Sequence, residues 1–401
     1  MKSFRLAFLT LILSLNFKRF GIINRKCHQL FACISNYQVN DPDYKKLSTV
    51  INFNKSFHLK YFYNPTMKLS IVWLVFIFFA LTSYHCSNKE KQMNNLIDTL
   101  DSPNQFIESA ITLETATANI YGTLNATQID EQTPLVIIIA GSGPTDHNGN
   151  NTTGLQTNAY KMISDTLAKH GVASLRYDKR GIAESYFAGF REEDLRFEDY
   201  INDASEWVKK MQKDDAFSDI FILGHSEGSL IGMLAVQETD VSGFISVAGP
   251  AQSADALILE QLVGQPQEII DEAETILNAL NQGMLVHDVS QFLYALFRPS
   301  VQPYLISWLK YDPVEEIARI NEPLMVIHGS TDLQVKSSEA QQLAEANPNA
   351  ELTIIDFMNH VLKNAGDDIQ TNLATYSNPN LPLNTEFCKV LTKFIKENIK
   401  E

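Results

Sequence analysis

A serine lies at the centre of a short sequence flanked by glycines. Residues 224–228 read Gly-His-Ser-Glu-Gly, a G-x-S-x-G pattern with Ser226 in the middle. A short apolar run precedes the pattern, and residues typical of a helix follow it. A strand, a sharp turn and a helix in this order present a serine hydroxyl for attack on a carbonyl carbon. The pattern predicts a nucleophilic serine and acyl-transfer chemistry; the alternative is a surface serine in a glycine-rich turn.

A serine hydroxyl needs a general base, and three histidines follow Ser226 beyond its own turn. His287 falls in a helical stretch and His328 ends an apolar run, whereas His360 lies in a loop before the C-terminal helix pattern. We expect His360 to be the base. Asp332, in a turn after the preceding strand pattern, is expected to hold its imidazole, the alternative being a carboxylate that only caps the turn.

Acyl transfer also requires hydrogen-bond donors for the oxyanion that forms at the carbonyl. The loop after the apolar run 134–140 begins Gly-Ser-Gly and would supply one backbone N–H group. Ser142 is the first choice for this donor and Gly143 the second, and the N–H group of Glu227 is the other donor. A phosphate-binding loop is excluded because this loop lacks the Lys-Ser/Thr pair of that motif and is acidic.

Strand patterns that alternate with helix patterns must position these residues. A strand pair is predicted within 110–127, and buried strands at 134–140, 172–177, 220–223, 243–247, 324–327 and 352–355. Helices are predicted at 157–169 and 199–211. This alternation predicts an α/β fold with a mostly parallel sheet, helices on both of its faces and an inserted helical cap.

The predicted domain organisation follows from the places where strand patterns stop alternating with helix patterns. Residues 87–107 are polar and are expected to form a linker, and residues 108–250 and 322–401 are expected to form the core. Residues 251–321 show helical patterns and are predicted to be the cap. Five aromatic residues of the cap would pack in its interior or line an acyl pocket: Phe292, Tyr294, Phe297, Tyr304 and Trp308.

The N-terminal part of the sequence concerns localisation. Residues 67–86 are predicted to be a signal peptide or membrane anchor, because Met67 and Lys68 precede a run of apolar residues. Cys86 is a candidate for lipidation, although the residues before it are larger than lipoprotein signals prefer. A secreted form and an uncleaved anchor stay open, and all three would be exported, to the cell envelope or beyond it.

Residues 1–66 differ from the rest of the chain in charge. They carry 10 basic and 2 acidic side chains, which leaves 22 basic and 45 acidic side chains in residues 67–401. We expect residues 1–66 to be an upstream extension that is not native, with translation starting at Met67; a disordered tail is the alternative. The acidic remainder would repel a phosphate backbone, so nucleic acid is not an expected partner.

Six sequence segments resemble the α/β-hydrolase superfamily, and within it the bacterial EstD-type esterases and related serine aminopeptidase-like hydrolases. In order they read AGSGPTDHNGN, LRYDKRGIAES, LGHSEGS, SWLKYDP, HGSTDLQV and MNHVLK. The resemblance implies a triad of Ser226, Asp332 and His360, a helical cap and hydrolysis of short-chain carboxylic esters. His147 and Asn148 depart from the Arg-Asp that such relatives usually have.

The sequence thus predicts a serine hydrolase that cleaves small carboxylic esters through an acyl-enzyme intermediate. No cofactor and no metal ion is expected, membrane attachment would occur through the N-terminal segment, and the oligomeric state is not predicted. Two alternatives stay open: a peptidase or amidase that acts on small peptides, and a catalytically silent hydrolase fold that serves as a surface binding module.

Overall fold

The computed structural model describes residues 106–127, 129 and 133–400. The predictions for residues 1–66 and 67–86, for Cys86 and for most of the linker fall outside these residues. Within the described ranges, no helix combines the length and the apolar character that a bilayer-spanning segment requires.

One eight-stranded sheet forms the centre of the fold. Its strands are β1 Ile107–Glu114, β2 Asn119–Ala126, β3 Thr133–Ile139, β4 Ala173–Tyr177, β5 Phe217–His225, β6 Gly243–Val247, β7 Leu324–Gly329 and β8 Ala350–Ile355. They are ordered β1-β2-β4-β3-β5-β6-β7-β8. The strands β1, β2 and β4 pair antiparallel in succession, and every other pairing is parallel. The prediction of a mostly parallel α/β sheet is confirmed.

The central strands are apolar along their whole length because both faces of the sheet are covered. In β3, Leu135 and Ile137 pack into one hydrophobic cluster, whereas Val136 and Ile138 pack into the other. This alternation is the two-residue period of a strand. Strand β8 differs from the prediction of a buried strand. It forms the edge of the sheet, and Leu352 within it is 39% exposed.

Eleven α-helices occur in the described part of the chain. They are α1 Ala159–Lys169, α2 Phe197–Met211, α3 Glu227–Gln237, α4 Ala254–Gln261, α5 Gln267–Asn281, α6 Tyr294–Phe297, α7 Gln302–Trp308, α8 Pro313–Ile317, α9 Ser337–Ala346, α10 Ile369–Ala374 and α11 Thr385–Glu397. Three short 3₁₀ helices span Ala183–Ser185, Glu192–Asp194 and Thr375–Ser377. Side chains of α1 and α11 pack into one cluster, and those of α2, α3 and α9 pack into the other, so both faces of the sheet carry helices.

Helices α4 to α8 all lie between β6 and β7, in the segment for which a cap is predicted. The shortest of them, α6, has only four residues. The buried Gln302 side chain joins the segment before this helix to its last residue. It accepts a hydrogen bond from the N–H of Val286 and donates to the carbonyl groups of Val286 and Phe297, so it satisfies these groups without a helix.

The aromatic residues of the cap fall into two groups. Phe297 and Tyr304 are buried, and Trp308 stacks on Phe197 of α2 with ring centroids 5.7 Å apart. Phe292 and Tyr294 are exposed at the surface. The first group belongs to the cap interior and its seam with the core, and only the second group is free to meet a ligand at the surface.

Candidate active site

Ser226 is the single residue between β5 and α3. Its backbone has φ 56° and ψ −122°, a conformation that residues other than glycine rarely adopt. The N–H group of Ser226 donates to the carbonyl of Val247 in β6 at 2.9 Å, which holds the turn against the neighbouring strand. Ser226 is half-buried and follows the last residue of β5, so it lies at the carboxyl ends of the parallel strands.

The two glycines of the motif allow this turn to form. A Cβ atom on Gly228 would lie 2.7 Å from the carbonyl oxygen of Ala140, and closer still to that of Ile139. A Cβ atom on Gly224 would lie 2.7 Å from the Cα atom of Ser229. Backbone atoms cannot move aside as a flexible side chain can, so helix α3 approaches β3 and β5 only because both residues are glycine.

Asp332 and His360 form a buried pair. Nδ1 of His360 lies 2.8 Å from Oδ2 of Asp332, while the other carboxylate oxygen accepts from the N–H groups of Gln334 and Val335. Burial alone would raise the pKa of Asp332, but the charge and the hydrogen bond of His360 outweigh it and hold this pKa below its usual value. The carboxylate is therefore ionised and accepts the Nδ1 proton, which leaves Nε2 of His360 free to act as a base.

His225 links Ser226 to the His360 loop. Nε2 of His225 donates to the backbone carbonyl of His360 at 2.8 Å, and the two imidazole centroids lie 4.9 Å apart. A carbonyl only accepts, so Nδ1 of His225 carries no proton and accepts from the Tyr160 hydroxyl at 2.9 Å. Burial lowers the pKa of His225 to about 3, with His360 adding to the effect, and the ring is neutral.

The same chain of hydrogen bonds reaches the loop after β3. The N–H group of Gly141 donates to the Tyr160 hydroxyl at 3.0 Å. Gly141 also lies against the nucleophile turn, since a Cβ atom on it would lie 3.1 Å from Cβ of Ser226. The next two residues, Ser142 and Gly143, are exposed, and Gly143 has φ 74°. The loop predicted to hold an oxyanion therefore runs directly beside Ser226.

A buried ion pair lies on the other side of this loop. Nζ of Lys179 is 2.7 Å from Oε1 of Glu227 and donates to the carbonyl of Gly141 at 2.8 Å. Both side chains are almost fully buried. Burial and the nearby charge of Glu227 raise the pKa of Tyr304 well above its usual value, so this phenol stays neutral.

The predicted site residues are thus placed as follows. Asp332 and His360 are in direct contact, and Ser226 lies one residue from the imidazole that contacts His360. Ser142, Gly143 and Glu227 flank Ser226 from the loop after β3 and from the start of α3. Among the described residues, no hydrogen bond joins Ser226 to His360.

His147 and Asn148, the two residues at which the sequence departs from the resemblance, both form hydrogen bonds with the strand β4 region. His147 donates from its backbone N–H and from Nδ1 to one oxygen of Asp178, at 2.7 and 2.9 Å. Although burial lowers the pKa of His147, its contacts with Asp178 raise it above the usual value. Asn148 accepts from Nε of Arg176 at 3.2 Å. His147 thus contacts Asp178 and Asn148 contacts Arg176, and these hydrogen bonds hold the loop after β3 against β4 and the residue that follows it.

Comparison with known proteins identifies the fold. Residues 153–293 match the family of serine aminopeptidases S33. The chain is 26% identical over 234 residues to the esterase EstD of Thermotoga maritima, an alignment that covers 57% of this chain and 54% of EstD. The chain therefore spans about half the length of that curated relative.

Solved structures of other proteins are also similar to this chain. Est1E from Butyrivibrio proteoclasticus, in a structure with ferulic acid bound, has a TM-score of 0.50 and 20% identity, and the match covers 73% of this chain and 100% of Est1E. The esterase Pf2001 of Pyrococcus furiosus has a TM-score of 0.46 and 17% identity, covering 75% of this chain and 96% of that one. The protein has the α/β-hydrolase fold. The family match contains Ser226 but ends before Asp332 and His360.

Three buried residues of this site were missing from the sequence prediction: Tyr160, Lys179 and His225. Two of them had a detectable signal. His225 precedes the nucleophile inside the motif itself, and Lys179 follows a buried strand between Asp178 and Arg180, where a charge has to be paired. Tyr160 lies on a helix among other apolar positions, and its hydroxyl partners could not be foreseen from the sequence.

Proposed function

We propose that this α/β-hydrolase cleaves carboxylic esters with Ser226 as nucleophile, His360 as base and Asp332 as the residue that orients the base. The observation that carries the proposal is the strained backbone of Ser226 at the carboxyl end of β5, next to the buried His360–Asp332 pair. Strain of this kind persists only where the surrounding structure imposes it, and it concentrates at functional sites.

The reaction would proceed in two steps. Oγ of Ser226 attacks the ester carbonyl while Nε2 of His360 takes the hydroxyl proton, and that proton then passes to the departing alcohol. Water afterwards attacks the acyl-enzyme, again giving a proton to His360, which returns it to Ser226 as the acid leaves. Asp332 stabilises the imidazolium that forms in each step. The step requires Nε2 to come within hydrogen-bond distance of Oγ in the substrate complex, where such contacts tighten.

The negative charge on the carbonyl oxygen would be held by backbone donors. The N–H group of Glu227 lies at the first residue of α3, where the helix dipole favours an anion. The N–H group of Ser142, or that of Gly143, would supply the second hydrogen bond from the loop beside Ser226. Such preorganised donors are worth about 10²–10³ in kcat each.

The substrate class rests on similarity and on the site. The relative EstD is named an esterase, and Est1E has been solved with ferulic acid bound. For this chain we propose small esters with short acyl chains, and an ester of an aromatic acid belongs in the test panel. The predicted cap between β6 and β7 would bound the pocket, with Phe292 and Tyr294 as its exposed aromatic residues.

The proposed location is outside the cytoplasm. The apolar run at 69–84 after Lys68, followed by Cys86, supports export with lipidation, anchoring or secretion as the three outcomes. Mass spectrometry of the N-terminus of the protein made in its own cells tests this. Peptides from residues 20–60 would contradict the idea that residues 1–66 are not native.

A second candidate activity is hydrolysis of amides in small peptides. It is favoured by the match of residues 153–293 to the serine aminopeptidase S33 family. The same three side chains would serve both reactions, so the ratio of kcat/KM for matched ester and anilide substrates decides between them. A larger value for the anilide would favour the peptidase.

The test of the main proposal uses p-nitrophenyl acetate and butyrate together with a fluorophosphonate probe. We expect the wild-type protein to hydrolyse both esters and to be labelled, and Ser226→Ala to lose at least about 10⁴-fold in kcat/KM and all labelling. Ser377→Ala, at an exposed serine, is the matched control. Wild-type protein that is inert on the whole panel and unlabelled would contradict the proposal and leave a surface binding module.

A further inference from the structure

One buried cation contacts both segments that flank the nucleophile. Lys179 follows β4, and its side chain is only 2% exposed. Nζ donates to the carbonyl oxygen of Gly141 at 2.8 Å and to Oε1 of Glu227 at 2.7 Å. It also lies 4.7 Å from the ring centroid of Tyr200. The ammonium thus bridges the loop after β3 and the first residue of α3.

The atoms that Lys179 contacts belong to the proposed oxyanion donors. The carbonyl of Gly141 and the N–H group of Ser142 are the two ends of one planar peptide unit. In a trans peptide the two groups point in opposite directions, and the described residues contain no cis peptide bond. A hydrogen bond that fixes the direction of the Gly141 carbonyl therefore also fixes the direction of the Ser142 N–H group.

The second contact of Lys179 completes the arrangement. Glu227 supplies the other proposed donor through its backbone N–H, and its carboxylate is the partner of the same ammonium. The positive charge of Lys179, next to the Gly141 carbonyl oxygen, also polarises that peptide unit, which makes the Ser142 N–H group a stronger donor. One cation therefore sets the orientation of one donor and anchors the residue that carries the other.

Stability alone does not explain such a pair. Removing two charges from water costs several kcal/mol per ion, and apolar replacements of buried pairs are often neutral or stabilising. The adjacent residue provides a comparison, because Arg180 forms a buried pair with Asp203 and contacts the hydroxyl groups of Thr115 and Thr117. None of those partners belongs to the nucleophile turn or to the loop after β3.

We propose that Lys179 is a positioning residue for the oxyanion hole, with Glu227 as its anchor. It aligns the Gly141–Ser142 peptide so that the Ser142 N–H group faces the oxyanion of the tetrahedral intermediate. This inference rests on the proposed ester hydrolysis. It identifies Ser142 rather than Gly143 as the donor, since the constrained peptide unit is the one that carries the Ser142 N–H.

The test compares Lys179→Met with the double variant Lys179→Met/Glu227→Gln. The single variant leaves a buried carboxylate without its partner, whereas the double variant removes both charges. We expect both to lose about 100-fold in kcat for p-nitrophenyl butyrate with KM changed by less than about threefold, because the donor acts in the transition state. The inhibition constant of an alkyl boronic acid, which forms a tetrahedral adduct with the serine, should rise by a similar factor.

Urea denaturation separates positioning from folding. The double variant is expected to unfold at a higher urea concentration than Lys179→Met and still to show the loss in kcat. Arg180→Met/Asp203→Asn, which removes the neighbouring buried pair, is the matched control and should keep kcat within about threefold of the wild type.

Three outcomes would overturn the inference. They are recovery of kcat in the double variant, a double variant that does not fold, or an equal loss of kcat in the Arg180 control, because each would reduce Lys179 to a structural role. These outcomes require a wild-type protein that hydrolyses esters. A wild type that is inert and unlabelled by fluorophosphonate instead removes the proposed function, and this inference with it.

Discussion

Two regions of the molecule differ in how they bury polar and apolar groups. One is the rigid edge, by which we mean the carboxyl ends of the parallel strands around Ser226, and the other is the helical segment between β6 and β7. At the edge, polar side chains are buried and paired: Lys179 with Glu227, Asp332 with His360, and His225 with Tyr160. In the helical segment, large apolar side chains reach the surface, among them Val263, Phe292 and Tyr294. The first region fixes hydrogen-bonding groups in place, and the second leaves apolar area uncovered.

The difference shows which part of the fold needs fixed side-chain geometry. Catalytic groups must keep their geometry to within a fraction of an ångström, which requires satisfied polar networks in a buried setting. A surface that meets ligands of varied shape needs apolar area more than it needs fixed geometry. Substitutions in the two regions are therefore expected to differ both in size and in what they change.

The largest effect is expected from the acid–base pair. His360→Ala should lower kcat/KM for p-nitrophenyl butyrate by at least about 10⁴-fold, and Asp332→Asn by about 10⁴-fold because the amide stabilises the wrong imidazole tautomer. His170→Ala, at an exposed histidine, is the control and should retain full activity. A loss below tenfold in His360→Ala would mean that another residue is the base, and one below tenfold in Asp332→Asn that another residue orients it.

The next effect concerns the backbone of the rigid edge. Gly228→Ala should lower the free energy of unfolding by about 3 kcal/mol, because the added Cβ meets the carbonyl oxygens of β3 and the loop after it. Gly366→Ala is the matched control, since open space surrounds that position. Urea denaturation measures both variants. A Gly228→Ala protein more stable than wild type would show that helix propensity outweighs the clash.

A smaller effect separates charge from packing at His225. Its pKa of about 3 lies below the ordinary value, so the unfolded chain binds this proton more readily and the fold loses stability as the pH falls from about 6.5 towards 3. For such a shift the loss between pH 7 and pH 5 is about 2 kcal/mol. In His225→Asn, the drop in the free energy of unfolding between these pH values should be smaller by that amount.

The control for this measurement is Ser377→Ala, at an exposed serine, which should show the wild-type dependence on pH because it removes no titratable group. An unchanged pH dependence in His225→Asn would mean that His225 takes up a proton in the folded protein. Nδ1 of His225 would then also donate, and the Tyr160 hydroxyl would have to accept from it instead of donating to it.

The smallest effect is expected in the helical segment. Phe292 is 63% exposed, so Phe292→Ala should change the free energy of unfolding by less than about 0.5 kcal/mol. Phe297 is fully buried in the same segment, so Phe297→Ala should lower the free energy of unfolding by about 3–5 kcal/mol. A large loss of stability in Phe292→Ala would mean that this ring is covered in solution, for example by a second copy of the chain.

Much of the fold was predictable because its signals are local. The alternation of apolar runs with helical patterns predicted every strand of the described sheet, and β6 was predicted with its observed bounds. Strand β8 was misjudged in burial because position in a sheet depends on strand order, which no local pattern encodes.

The site shows the same division. Ser226 carries a motif, and Asp332 and His360 follow from the chain order that accompanies such a motif. Lys179, Tyr160 and His225 act through partners that are distant in sequence; the Lys179–Glu227 contact spans 48 residues and the His225–His360 contact spans 135. Contacts of this range emerge only when the strands have been ordered in the sheet.

The order of the strands also has a consequence for how the protein is made. During synthesis from the N-terminus, the β5–α3 turn with its serine leaves the ribosome well before β7 and β8, which precede the proposed acid, Asp332, and the proposed base, His360. The long helical segment between β6 and β7 lengthens that interval. A nascent or truncated chain that ends within this segment would hold the proposed nucleophile without its proposed proton acceptor, so the proposed hydrolysis would start only once the last two strands have joined the sheet.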